Sequence, residues 1–99
     1  MIIVSACLIG INCAFDGRSR PNRKVLGLMR TGKLIPICPE QLGGLPTPRD
    51  SADQIGDKVI TRNGKDVTAQ YVLGAKEGLF IAQLTGCKKA ILKARSASC

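Results

Sequence analysis

Short apolar runs and helix-spaced stripes alternate along the chain. Residues 2–6 (Ile-Ile-Val-Ser-Ala), 33–37 (Lys-Leu-Ile-Pro-Ile) and 88–93 (Lys-Lys-Ala-Ile-Leu-Lys) are brief runs of strand length. Between the first two, Val25, Leu28 and Met29 fall on one helical stripe, with Asn22 placed to cap it, Pro21 just ahead and Gly32 to stop it. Between the last two, Val72, Ala75, Leu79 and Ala82 repeat at i, i+3, i+4 spacing and are expected to face a core. Asp66 or Thr68 can cap this second helix and Gly86 ends it. Gly74 and Gly78 lie inside it; each costs roughly 1 kcal/mol of helix stability against alanine, and together they permit close packing on a sheet. The order strand, helix, strand, helix, strand predicts a three-layer α/β domain with a short parallel sheet. The first strand should be central, because it is the most continuously apolar.

Two stretches interrupt that rhythm. Pro36 sits inside the second strand and donates no ladder hydrogen bond, so that strand should be irregular or unpaired on one side. Residues 38–49 hold three prolines and the adjacent Gly43-Gly44, which argues against regular structure over most of the stretch and marks a functional loop. Residues 50–65 are polar and mixed; Lys58–Arg62 reads as a short strand and Asn63-Gly64 as a turn.

Composition narrows the class. The chain has 99 residues, enough for one small domain with a modest core, and 44% hydrophobic residues, which speaks for a globular chain. No apolar stretch approaches the roughly 20 residues that span a bilayer. The apolar N-terminus lacks a basic leader and reads as a strand rather than a signal peptide, so a cytoplasmic protein without membrane contact is expected. Fifteen Lys and Arg against seven acids give a net charge of +8, which favours anionic partners, RNA among them. With only Phe15, Tyr71 and Phe80 aromatic, a dedicated single-strand binder is poorly supplied with stacking platforms.

The cysteines carry the candidate chemistry. There are five, and no histidine, which removes Ser-His and Cys-His catalysis and every His-ligated metal site. In a reducing compartment they point to metal binding or catalysis rather than disulfides. Cys7 and Cys38 follow the first two strands directly, and Cys99 comes a few residues after the third. Parallel strands would gather all three at the carboxyl edge of the sheet, where ligand sites of open α/β sheets lie. Cys13, in the loop after the first strand, can reach the same edge. Cys87 lies at the opposite end of the third strand, where a small buried hydrophobe fits best. Thiolates without histidine suit an iron–sulfur cluster or a Cys-only zinc site, although no Cys-x-x-Cys pair is present.

Specific motifs add a resemblance. Val4-Ser5-Ala6-Cys7-Leu8-Ile9-Gly10, Asp16-Gly17, the run Pro36-Ile37-Cys38-Pro39-Glu40-Gln41-Leu42-Gly43-Gly44-Leu45-Pro46-Thr47-Pro48-Arg49, Gly64–Thr68 and Ala90–Cys99 together resemble the thiouracil desulfurase family over essentially the whole chain. The resemblance implies a small Rossmann-like α/β domain with a [4Fe-4S] cluster on three cysteines, matched here by Cys7, Cys38 and Cys99, and one iron without a protein ligand. On that pattern Cys13 should point away or be dispensable. The family commonly has Ser-Pro-Ser-Cys-Gly where this chain has Ser96-Ala97-Ser98-Cys99, and its members continue further. Residues 1–99 are therefore expected to form a single, incomplete desulfurase-like α/β domain.

The function implied is iron–sulfur-dependent, hydrolytic desulfuration of thiolated uracil or a related thionucleobase or thionucleoside, with RNA as a further partner. Water activation then needs a base, and without histidine a carboxylate is the natural choice. Glu40 is the first candidate and Asp16 the second. Ser96 and Ser98 flank the third cysteine and are placed to contact the uracil edge or cluster sulfur. Arg49 is either an anion contact or a salt bridge that pins the loop. The Lys and Arg residues are expected to lie mostly away from the cysteine pocket. Two other classes remain open: a basic RNA-binding module, and a structural zinc module without catalysis.

Overall fold

The computed structural model describes residues 1–94. Strand β1 (Ile2–Ser5) runs straight into a 3-10 turn, Ala6–Ile9. Helix α1 (Arg23–Met29) is capped as its sequence predicts: Asn22 Oδ1 accepts the N–H groups of Lys24 and Val25 at 3.0 and 3.2 Å. Then come β2 (Leu34–Ile37), a single helical turn α2 (Pro39–Leu42), a hairpin β3 (Ala52–Ile55) and β4 (Lys58–Thr61), the long α3 (Thr68–Thr85) and β5 (Lys89–Ile91). No helix of the described residues is long and apolar enough to cross a membrane.

The three expected strands form one sheet in the order β2-β1-β5, with both pairings parallel. β1 is central, and its Val4 is fully buried. Pro36 falls on the edge strand β2, where its missing donor costs no ladder bond on the open side. Alternation divides the sheet into two faces. Val4, Leu34 and Val25 form a buried cluster joined by Ile2, Met29 and Ile91, so α1 covers one face. Ile37 points to the other, where a Cβ at Gly78 of α3 would touch its side chain. The result is the three-layer α/β arrangement.

Two expectations need correction. The predicted core stripe of α3 faces outward: Val72, Ala75 and Leu79 are exposed, and the buried side belongs to Tyr71 and Gly74. Apolar residues are spread over more than one side of the helix (Leu73, Phe80 and Leu84 are exposed as well), so spacing did not single out one face. The stretch 38–49 is irregular over most of its length, as expected; its one helical turn, 39–42, is permitted because Pro39 occupies the first turn, where its missing N–H has no intrahelical partner anyway. β3 has a polar sequence but is a strand, paired antiparallel to β4 across Gly56-Asp57. The Asn63-Gly64 turn forms as expected, with Gly64 donating to the Thr61 carbonyl at 2.8 Å.

The two glycines of α3 serve different neighbours: Gly78 lies against Ile37 of the sheet, and Gly74 permits a helix-to-helix approach. A Cβ at Gly74 would collide with the Pro39 carbonyl, and a Cβ at Gly43 with that of Gln70. Each backbone therefore fills the space left by the other's missing side chain, which brings α2 and α3 into direct backbone contact.

That packing yields a paired test. Gly74→Ala should destabilise the chain by about 1–3 kcal/mol, because overpacking against backbone outweighs the helix gain. Gly27→Ala, in α1, meets nothing within 4 Å and should stabilise it by roughly 0.5–1 kcal/mol. Urea midpoints of the two variants should move in opposite directions.

Candidate functional site

The exits of β1 and β2 open into a cavity of about 160 Å³ at the carboxyl edge of the sheet. Its walls include Cys7, Cys13, Cys38, Phe15, Glu40, Arg49, Tyr71 and Lys93. Cys7 is buried in the 3-10 turn that follows β1, and Cys38 is half-buried at the start of α2. β1 and β2 are neighbours in register, with Ser5 opposite Ile37, so Cys7 and Cys38 continue adjacent strands. The convergence read from the strand ends holds for these two. Cys99 and Ser98 lie outside the described residues, as does Ser96. The path toward them is fixed at its start: the Lys93 N–H donates to the buried Ser5 Oγ at 2.9 Å, which ties the exit of β5 to that of β1.

Cys13 does not point away. It is 2% exposed and packs with Ala6, Cys7 and Ala14, with Cys38 against the same cluster. Burial, followed by the charge and hydrogen bond of Cys38, pushes its thiol up to about 12. At neutral pH it is therefore a protonated, buried group. Among the described residues, no three of His, Cys, Asp or Glu converge to hold a metal ion. The cavity brings together three thiols, those of Cys7, Cys13 and Cys38.

A buried cation organises these groups. The Arg49 side chain is 5% exposed, and its guanidinium reaches several separate segments. Nε donates to Glu40 Oε1 at 3.1 Å, and Nη1 to Thr47 Oγ1 and the Pro46 carbonyl at 2.9 and 3.2 Å. Nη2 donates to the Cys13 carbonyl at 2.9 Å and approaches Cys38 Sγ at 4.0 Å. Tyr71 donates its hydroxyl to the same Glu40 Oε1 at 2.5 Å. Burial and then the Glu40 carboxylate push the Tyr71 phenol well above its ordinary value, so it remains a donor. Of the two readings of Arg49, pinning of the loop is the one observed.

The two candidate bases separate. Glu40 lines the cavity, oriented by Arg49 and Tyr71. Asp16 does not line it; it pairs with Arg20 at 2.6 Å and accepts the Arg18 N–H at 3.0 Å, closing a surface turn. The Arg20 hydrogen bond holds its carboxyl below the usual value. Cys87 is also away from the cavity, half-buried rather than buried, and accepts from Thr85 Oγ1 at 3.2 Å. Among the described Lys and Arg residues only Arg49 and Lys93 line the cavity. Sequence reasoning missed Tyr71 and Phe15. Tyr71 had one usable signal: it starts the glycine stripe 71, 74, 78.

Two predictions follow from this geometry. Arg49→Met leaves Glu40 buried without its cation and should cost about 3–5 kcal/mol in urea unfolding of the metal-free chain. Arg49→Lys should recover only part of that loss, because an ammonium lacks the planar fork. In the same metal-free chain at pH 8, iodoacetamide should label Cys13 more slowly than Cys38 or Cys87. Burial raises the Cys13 thiol well above the ordinary value, so little of it is thiolate there. Peptide-resolved mass spectrometry reads the order.

Known proteins resemble the chain in both sequence and structure. It is 38% identical over 109 residues to the uncharacterized protein YbbK of Bacillus subtilis (strain 168), covering 100% of this chain and 72% of that protein. The solved structure of the [4Fe-4S]-dependent thiouracil desulfidase TudS superposes with a TM-score of 0.93 at 42% identity. That match covers 99% of this chain and 66% of the TudS chain, so the present sequence spans just under two thirds of its length. The profile of 2-thiouracil desulfurases matches residues 2–99. The strand exits, the thiols they bring together and this match lead to one assignment: the chain belongs to the 2-thiouracil desulfurase family.

Proposed function

We propose that the chain carries out iron–sulfur-dependent hydrolytic desulfuration of a thiolated uracil or a related thionucleobase. The observation that carries this reading is the pairing of Cys7 and Cys38 on adjacent strand exits, in a cavity that also holds a carboxylate. The all-sulfur donor set fits a [4Fe-4S] cluster. Cys7 and Cys38 supply two ligands and Cys99 the third, while Cys13 packs beside them without serving as a ligand. Once bound, such a cluster would supply a soft Lewis acid toward a thiocarbonyl sulfur.

The protein's own groups do the rest. Glu40 takes a proton from the attacking water, held in position by Arg49 and Tyr71. Asp16 faces the surface turn, so this role falls to Glu40. The water oxygen forms a bond to the ring carbon, the carbon–sulfur bond breaks and sulfur leaves as sulfide. No net electrons move, and thiouracil becomes uracil. Ser98 is assigned a contact to the uracil edge. The cavity is lined by only two of the described basic side chains, which favours a free base or nucleoside over RNA.

Anaerobic reconstitution tests the reading. The wild-type chain should bind iron and sulfide in equal amounts and convert 2-thiouracil to uracil with release of sulfide. Cys7→Ser and Cys38→Ser should lose the cluster, and Cys13→Ser should retain it. Glu40→Gln should keep the cluster and lose about 100-fold or more in turnover. Zinc without sulfide in the purified chain would overturn the proposal in favour of a structural metal site.

A further inference from the structure

We propose that Phe15 is the stacking face of a base-recognition subsite at the mouth of the cysteine cavity, taking a planar pyrimidine-type heterocycle. This rests on the desulfuration reading and names how that substrate is held. Two of the chain's three aromatic residues, Phe15 and Tyr71, line this one cavity. They differ in what they have left to offer. Tyr71 is 9% exposed, with its hydroxyl committed to Glu40. Phe15 is 46% exposed, although both residues before it are buried.

The backbone that carries Phe15 is fixed. Its carbonyl accepts the Arg49 N–H at 2.7 Å, and Ala14 is hydrogen-bonded to Arg18 and Gly17 at 3.0 and 2.9 Å. The ring is thus presented on an anchored segment while much of its surface remains open. An aromatic face held this way is prepaid binding surface, because little further ordering is needed when a ring stacks on it. The cavity also supplies polar partners of both signs, Asp53 and Lys93. A carboxylate accepts a ring N–H and an ammonium donates to a ring carbonyl, the two edge functions that alternate on a uracil-type base. The thiols of Cys7 and Cys38 line the same cavity, so one pocket offers a thionucleobase both soft sulfur groups and polar partners.

The test uses the reconstituted chain with uracil, an unreactive probe, and 2-thiouracil, the substrate. Stacking on an aromatic side chain is lost on truncation, so Phe15→Ala should weaken uracil binding about tenfold and raise KM for 2-thiouracil by a similar factor, with kcat within about twofold. Phe15→Leu keeps apolar bulk without a π face and should resemble Phe15→Ala. Phe15→Trp should bind as well as wild type or better. The proposal is overturned if Phe15→Leu binds uracil like wild type, if Phe15→Ala leaves binding and KM unchanged, or if the wild-type chain binds no uracil. Phe15-dependent binding without sulfide release supports the subsite while removing the desulfuration reading. Sulfide release with Phe15-independent binding does the reverse.

Discussion

The site depends on a charge kept almost entirely out of water. Arg49 gives up solvent to reach Glu40, Thr47, two backbone carbonyls and the sulfur of Cys38. Such a burial is tolerable only when nearly every donor is matched, and a planar five-donor guanidinium can match partners on several segments at once. The loop after β1, the turn after β2 and the proline-rich stretch share no strand pairing that would hold them together. The guanidinium supplies the common anchor, and the Tyr71 hydroxyl adds α3 to it through Glu40. Positions of the thiols and of the carboxylate are therefore set together.

Parallel pairing supplies the other half of the arrangement. A parallel sheet delivers its strand exits to one edge, so a residue just after β1 and one just after β2 become neighbours whatever the length of chain between them. The Ser5–Lys93 hydrogen bond extends the same logic to β5. It occupies a buried hydroxyl and fixes where the chain leaves the third strand, on the side where Cys7 lies.

The helices meet through missing side chains. Gly43 and Gly74 let the backbones of α2 and α3 touch, and this contact stands Tyr71 within reach of Glu40. The opposite side of α3 carries Leu79, Phe80 and Leu84 in the open, at 58% exposure or more. A helix with apolar residues on more than one side presents two usable stripes, and the one chosen here contains the glycines, because only they permit the close approach.

Local sequence determined the elements whose causes are local. The three parallel strands, the Asn22 cap, the Gly86 stop with its φ of 70° and the edge position of the Pro36 strand were all legible, since each depends on a few neighbouring residues. So was the meeting of Cys7 and Cys38, because strand order alone implies it. Tertiary structure decided what depends on partners far along the chain. β3 is a strand because β4 pairs with it, not because Ala-Asp-Gln-Ile prefers to extend. The buried face of α3 was chosen by α2. Cys13 entered the thiol cluster because Arg49, thirty-six positions away, holds its carbonyl, and Asp16 was drawn to Arg20 instead of the cavity. Spacing along a chain encodes a period and a cap; it does not encode which distant donor will satisfy a buried acceptor, and that choice fixed this site.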